Sequence, residues 1–499
     1  MRPIQISIVL ILAALAAPIL VSAQAPSQPA ASPILEEVVA AMGGRDRVLA
    51  ARTLVMEGSG VTYILGQNRA PEADPPAFEV SEYRRTMDFA GRRWRQEVVR
   101  TPRFLAGNPA PQRQVTAVDA DVGFDVAADG TPRRVSAVAA ADRANELFYH
   151  PLGIIQAALA EGTEVTDEGR KGRFHTVRLN IGGNKFGLLL DPRTKLPARV
   201  TKYVYHPNLG DVVLETDFLE YRELDGVQIP TRLVTRLEDR WPLGDIRLTS
   251  IAINADAGDL AAPEAVRAAE APAPTANVTT EEIAPGVWYL AGQSHHSVVI
   301  EFADHLVLVE APQNEARTLA VIRTARALRP EKPLRSVINS HHHFDHSAGI
   351  RAAIAEGLTV VTHERNAAFY REIATRRHFI IADTLARGPQ PLRLQTVGER
   401  RLLRDGSRTV EVYPISDSPH AETLLMVYLP AERLLIEADV YSPPAPNAAP
   451  PPAFPFAANL LENIERRRLD VERIVPLHGR VVPIAELRAA ARARAPGTQ

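Results

Sequence analysis

Two hydropathic periods divide this chain. From Thr53 to about Asn254, apolar and polar residues alternate in short runs separated by turn formers: Ala90-Gly91, Asp129-Gly130, Gly182-Gly183-Asn184, Asn208-Leu209-Gly210 and Asp225-Gly226. A period of two predicts strands with one face buried, and the Gly and Asp pairs mark where neighbouring strands reverse. Gly187 to Leu190 and Pro197 to Val200 read as two such strands, as does Phe218 to Leu224 leading into Asp225-Gly226. A stretch with helical spacing from Ile34 to Ala51, interrupted at Gly43-Gly44, precedes the series, and one helical insertion over 139–161, with Leu147, Phe148, Leu152, Ile155 and Leu159 on its apolar face, interrupts it. The expected product is a curved, mainly antiparallel sheet carrying a few helices.

Beyond Thr279 the pattern changes to strands alternating with helices. Val287 to Leu290, Val298 to Phe302, Leu306 to Val309 and Ser336 to Ile338 are apolar strand-like runs, and a helical stretch from Asn314 to Leu328 separates the last two. That is a mixed α/β order. At 499 residues the chain exceeds one ordinary core. The fold class is therefore read as α+β, with a β-rich domain over 33–258, a linker over 259–278, a second domain over 279–492 and a tail over 493–499.

The chemistry is concentrated in Ser340-His341-His342-His343-Phe344-Asp345-His346, which packs four histidines and a carboxylate into seven positions just after an apolar run. In extended backbone His341 and His343 project to one side, while Asp345 and His346 follow in the next turn and can face a second ion. Downstream, His420 precedes the run Leu424 to Leu429, Asp439 follows Leu434 to Ala438, and His478 follows Ile474 to Leu477. Each stands beside the end of a strand-like run, where loops converge at one sheet edge. Imidazole nitrogen and carboxylate oxygen without any thiolate suit zinc or a similar borderline divalent ion. His342 is assigned to packing or outer-shell support, His363 to structure, and His295-His296 to a loop without a ligand role, the alternative being a substrate contact in the pocket.

These residues, in this order over 279–492, resemble the metallo-β-lactamase superfamily. The resemblance implies a four-layer αβ/βα sandwich with the metal site at one edge between its sheets. It also implies two zinc ions per chain: His341, His343 and His420 on one, Asp345, His346 and His478 on the other, and Asp439 bridging. A bridging Asp is similar to glyoxalase II, lactonase and other esterase or phosphodiesterase branches rather than to the zinc β-lactamases. The implied activity is hydrolysis of an ester or lactone by a metal-bridging hydroxide, with Asp345 or Asp439 relaying a proton. Alternatives are a mononuclear iron oxygenase of the same fold and a non-catalytic periplasmic carrier. The superfamily usually has Asp where this chain has Glu310, which bears on how the metal loop is supported.

A second resemblance concerns the first domain. Asp191-Pro192 with Thr194 and Leu196-Pro197, then Tyr221-Arg222, Asp225-Gly226 and Ile229-Pro230, is similar to periplasmic lipoprotein-carrier half-barrels. It implies architecture and no ligand.

Composition narrows the partners. A net charge of −2 gives no electrostatic case for nucleic acid, so the expected partner is a small-molecule substrate. Arg2, the apolar stretch from Ile6 to Ala17 and Val21-Ser22-Ala23 read as a signal peptide over 1–23, followed by a Pro/Ala/Ser tether over 24–32. The apolar stretch is shorter than the roughly 20 residues a bilayer span needs, so cleavage and a periplasmic or secreted location are expected, with no stable membrane span afterwards. The absence of cysteine excludes disulfides and a thiol nucleophile, and no Gly-x-Ser-x-Gly elbow is present. The Pro-rich segment from Tyr441 to Asn459 reads equally as a stiff linker or as a lid beside Asp439.

Overall fold

The computed structural model describes residues 32–104, 109–274, 276–445 and 456–492. Residues 1–31, read in the sequence as a signal peptide and most of a tether, residues 446–455 and residues 493–499 lie outside the described residues. Among the described residues, no helix is long and apolar enough to cross a membrane.

Thirteen antiparallel strands form one sheet over the first half of the described chain. Its centre is the pairing of Thr53–Tyr63 with Trp241–Ile253, and consecutive strands meander outward on either side. The expected turns are where the sequence puts them. Asp225 and Gly226 both take positive φ (52° and 76°), as the two-residue hairpin between Gly210–Leu224 and Val227–Leu237 requires. One face of this sheet is covered by its own helices, Pro33–Ala41, Arg45–Ala50 and Pro151–Leu159. Leu35, Val38, Met42, Leu152 and Ile155 from these helices pack with Leu54, Met87, Trp94 and Leu188 from the strands in one core.

His150 lies in this core with its Nε2 buried and unpartnered. Its Nδ1 caps helix Pro151–Leu159 by accepting from Leu152 N at 3.2 Å. Burial, and then neighbouring Arg85, push its pKa down to about 3. The unfolded chain binds a proton here near pH 6.5 that the folded chain refuses, so stability is full above pH 6.5 and falls as pH drops towards 3. His150→Asn retains a capping oxygen without the titration. Compared with wild type in urea unfolding between pH 7.5 and 5, it is expected to lose less stability, by about 1.4 kcal/mol per pH unit below 6.5. Parallel pH profiles would show that His150 does not take part in acid destabilisation.

The second half folds as two packed sheets. Seven strands run from Thr279–Ala284 to Arg393–Val397, antiparallel for the first four and parallel thereafter; six run from Arg401–Arg404 to Val482–Pro483. The first sheet is buried on both faces, and its residues divide by period two. Val287, Tyr289, Val298, Ile300, Val307, Val309, Ile338 and Val361 face the second sheet. Trp288, Leu290, Val299, Leu308, Val337 and Val360 face helices Glu315–Leu328, Ile350–Ala355 and Ala367–Thr375. Helices Ala457–Arg466 and Ile484–Arg492 join the core that contains the second sheet, completing an αβ/βα order of four layers.

Between the two halves, Leu260, Ala262 and Val266 are buried, Ala262 and Val266 against Ala117 and Phe124 of the first sheet, and Arg267 pairs with Asp119. Part of the segment read as a linker is thus docked on the first domain. Arg376 to Glu238, Arg240 to Glu372 and Asp211 to the backbone N–H of Ile380 hold the two halves together.

Candidate metal centre

The histidine-rich segment leaves the carboxyl end of parallel strand Leu334–Ile338 and turns into the short helix Phe344–Ser347. Asp439 and His478 follow parallel strands Leu434–Glu437 and Arg473–Pro476, and His420 lies in the loop before Leu425–Leu429. Both sheets thereby deliver their loops to one edge. All seven residues singled out in the sequence meet there, joined by His295, in two groups: His341, His343, His420 and Asp439, and His295, Asp345, His346 and His478.

Asp439 lies between the groups. Its Oδ1 is 2.7 Å from His478 Nε2, and its Oδ2 is 3.0, 3.1 and 3.4 Å from the Nε2 atoms of His420, His346 and His341. The backbone there is left-handed (φ 62°), a conformation Asp tolerates better than most residues. Glu437 shapes the loop by accepting the N–H groups of Val440 and Tyr441. Burial, and then the charge of Asp439, hold the Glu437 carboxyl well above the usual range.

Four inward imidazoles, those of His341, His343, His346 and His478, have their other nitrogen tied to oxygen. His341 Nδ1 meets Ser340 Oγ at 2.9 Å, His346 Nδ1 meets Glu310 Oε2 at 3.0 Å and His478 Nδ1 meets the Ser294 carbonyl at 2.9 Å. His343 is reversed, with Nε2 at 2.9 Å from the Asn68 carbonyl and Nδ1 buried without a partner. Inner nitrogens from different rings approach to 3.1 Å (His478 and His346) and 3.4 Å (His420 and His341). Lone pairs so close repel unless a cation or proton lies between them. Outer nitrogens fixed by oxygen and inner ones converging on one region fit a metal site. Burial, then neighbouring imidazoles, keep His341 and His343 well below the usual imidazole range, so both offer lone pairs. Burial works against charge at Asp345 as well, yet His295 and His346 hold its carboxyl well below the usual range.

Glu310 answers the departure noted in the sequence. It is fully buried, adopts φ 79°, and accepts from Asn339 Nδ2, Ser340 Oγ and His346 Nδ1. The longer side chain therefore reaches the metal loop. His295 reaches the site as well. Its Nε2 is 3.2 Å from Asp345 Oδ2 and its ring lies 4.0 Å from that of His478. Strand Ser297–Glu301 is antiparallel to Leu306–Val309, so its amino end, with His295 just before it, lies at the same edge as Glu310. Strand pairing, which local spacing does not report, brings it in. His342 meets Thr423 Oγ1 at 2.9 Å and His363 Nδ1 caps the next turn, both outside the groups as expected. Of the Pro-rich segment's end, Phe456 is described, its ring 5.7 Å from that of His420.

Residues 290–478 match the family model of the metallo-beta-lactamase superfamily. Similar solved structures include the DIM-1 metallo-beta-lactamase, at 16% identity over 43% of this chain and 95% of that one with a TM-score of 0.34. Two others are metallo-beta-lactamases from Pontibacter korlensis (18% identity, 43% and 97% covered, TM-score 0.32) and Hirschia baltica (19%, 43% and 96%, 0.32). No curated protein matches the chain.

Proposed function

We propose that the protein is a dinuclear zinc hydrolase acting on an ester or lactone. The observation that carries this reading is the position of Asp439, whose two oxygens reach imidazoles of both groups. His341, His343 and His420 would hold one ion, Asp345, His346 and His478 the other, and Asp439 both. When bound, such a pair makes hydroxide available at neutral pH and polarises the electrophilic oxygen of the substrate. Asp345, its side chain 39% exposed, is the carboxylate best placed to pass a proton between the site and solvent. Phe456 forms an apolar wall beside His420. A carboxylate rather than a thiolate between the groups favours esters and lactones over β-lactams, which rank next with phosphoesters and sulfate esters.

Metal analysis of the purified protein, with turnover of chromogenic ester, lactone, β-lactam and phosphodiester substrates, tests the reading. Two zinc ions per chain and fastest turnover of an ester or lactone are expected. A single iron with oxygen uptake would replace it with the oxygenase. The leader-like first residues support export, with Gln24 as the expected first residue of the mature chain, readable by mass spectrometry of the periplasmic fraction.

A further inference from the structure

We propose that the metal centre is built by both halves of the chain, with loop 64–76 of the β-rich half positioning ligands on both ions through Gln67 and Asn68. The proposal rests on the reading that both groups hold ions. The loop joins strands Thr53–Tyr63 and Ala77–Asp88 and is pinned into one shape by its own hydrogen bonds. Ile64 N donates to the Pro76 carbonyl at 3.0 Å, Gly66 N to Asn68 Oδ1 at 3.2 Å, and Asn68 Nδ2 to the Ala73 carbonyl.

From that shape it reaches across to the histidine-rich segment. Phe344 N donates to the Gly66 carbonyl at 3.1 Å, and His343 Nε2 donates to the Asn68 carbonyl at 2.9 Å. Gln67 Nε2 donates to Asp345 Oδ1 at 2.9 Å. Glu422 N donates to the Arg69 carbonyl at 2.7 Å, bracing the loop that carries His420. Gly66 must be glycine for this approach, since it takes φ 78° and a Cβ there would stand 2.1 Å from the Phe344 ring.

The chemical consequence is specific to each ligand. An imidazole that presents Nδ1 inward needs an acceptor for its Nε2 proton, and for His343 that acceptor comes from the other half of the chain. A carboxylate at the mouth of a site can rotate and exchange its oxygens. Gln67 engages Oδ1 of Asp345 and leaves Oδ2 towards His295 and His346. Asn208, from a second turn of the β-rich half, adds support by donating to Ser347 Oγ at 2.8 Å, and Ser347 in turn donates to the His343 carbonyl. Ion pairs that do not involve Gln67, among them Arg376 with Glu238 and Arg240 with Glu372, also hold the two halves together, so removing its amide leaves those contacts in place.

Gln67→Met keeps the length of the side chain and loses the donor, while Gln67→Ala loses both. The experiment is competitive zinc titration against a chromophoric chelator, with the visible spectrum of the cobalt(II)-substituted full chain and thermal melting of the metal-free protein. Both variants should bind one ion about 10–100-fold more weakly than wild type, the usual size for losing a ligand's outer partner, with the other ion unchanged. The cobalt spectrum should change for the weakened site alone, and the metal-free melting temperature should stay at the wild-type value. If Gln67→Met matches wild type in affinity and spectrum, Gln67 only fills space and the proposal is overturned. A wild-type chain that never takes up a second ion overturns the two-ion reading instead.

Discussion

Asp439→Asn is expected to abolish turnover and to lower bound zinc, although it changes one oxygen to nitrogen. Four imidazole nitrogens lie 2.7–3.4 Å from the two carboxylate oxygens. An amide offers one acceptor and replaces the other with a donor aimed at nitrogens or an ion. It also removes the negative charge that offsets a pair of cations in a buried site. The loss in kcat/KM should reach at least ~10³-fold, beyond the roughly 10–100-fold typical of an outer-shell partner. His343→Ala should do the same by removing an inward Nδ1. In both variants the thirteen-stranded sheet should remain folded, because its core of Leu35, Leu54, Trp94 and Leu188 shares nothing with the site. Zinc content, turnover and circular dichroism together read the outcome, and activity retained in both variants would refute the assignment.

Glu310→Gln is expected to weaken zinc binding by about 10–100-fold with little change in shape. Three donors, from Asn339, Ser340 and His346, converge on the two oxygens of Glu310. Glutamine returns one oxygen and turns a donor towards one of them. His346 then loses the acceptor that keeps its proton on Nδ1 and its Nε2 lone pair facing the ion. Burial opposes a charge on His346, but Asp439 and Glu310 together hold it well above the usual imidazole range in the metal-free chain. The same carboxylates that would orient it as a ligand thus favour its protonation when no cation is present. Zinc affinity unchanged in Glu310→Gln, by chelator competition, would show that Ser340 and the backbone suffice to orient the loop.

Much of this architecture was legible along the chain. The change of period near Thr279, the turn at Asp225-Gly226 and the broken helix at Gly43-Gly44 are local signals, set by which backbone angles and which faces each residue tolerates. The seven candidate ligands were legible for a related reason, since they stand close to the ends of apolar runs that read as strands. Less visible was the role of His295, a loop histidine whose place depends on which strands pair. Gln67 and Asn68 carried no signal at all. They lie more than 270 positions from their partners, and an amide or a carbonyl in a loop has no periodicity to betray it.

The sequence by itself determined the two kinds of secondary structure, the break between them and an all-nitrogen-and-oxygen donor set, because these follow from local sterics, hydropathic period and side-chain chemistry. Only the tertiary structure decided which ring nitrogen of each histidine faces inward, that Glu310 reaches His346, and that a loop of the β-rich half touches two candidate ligands. Those are distances between segments remote along the chain, and the packing of the two halves sets them.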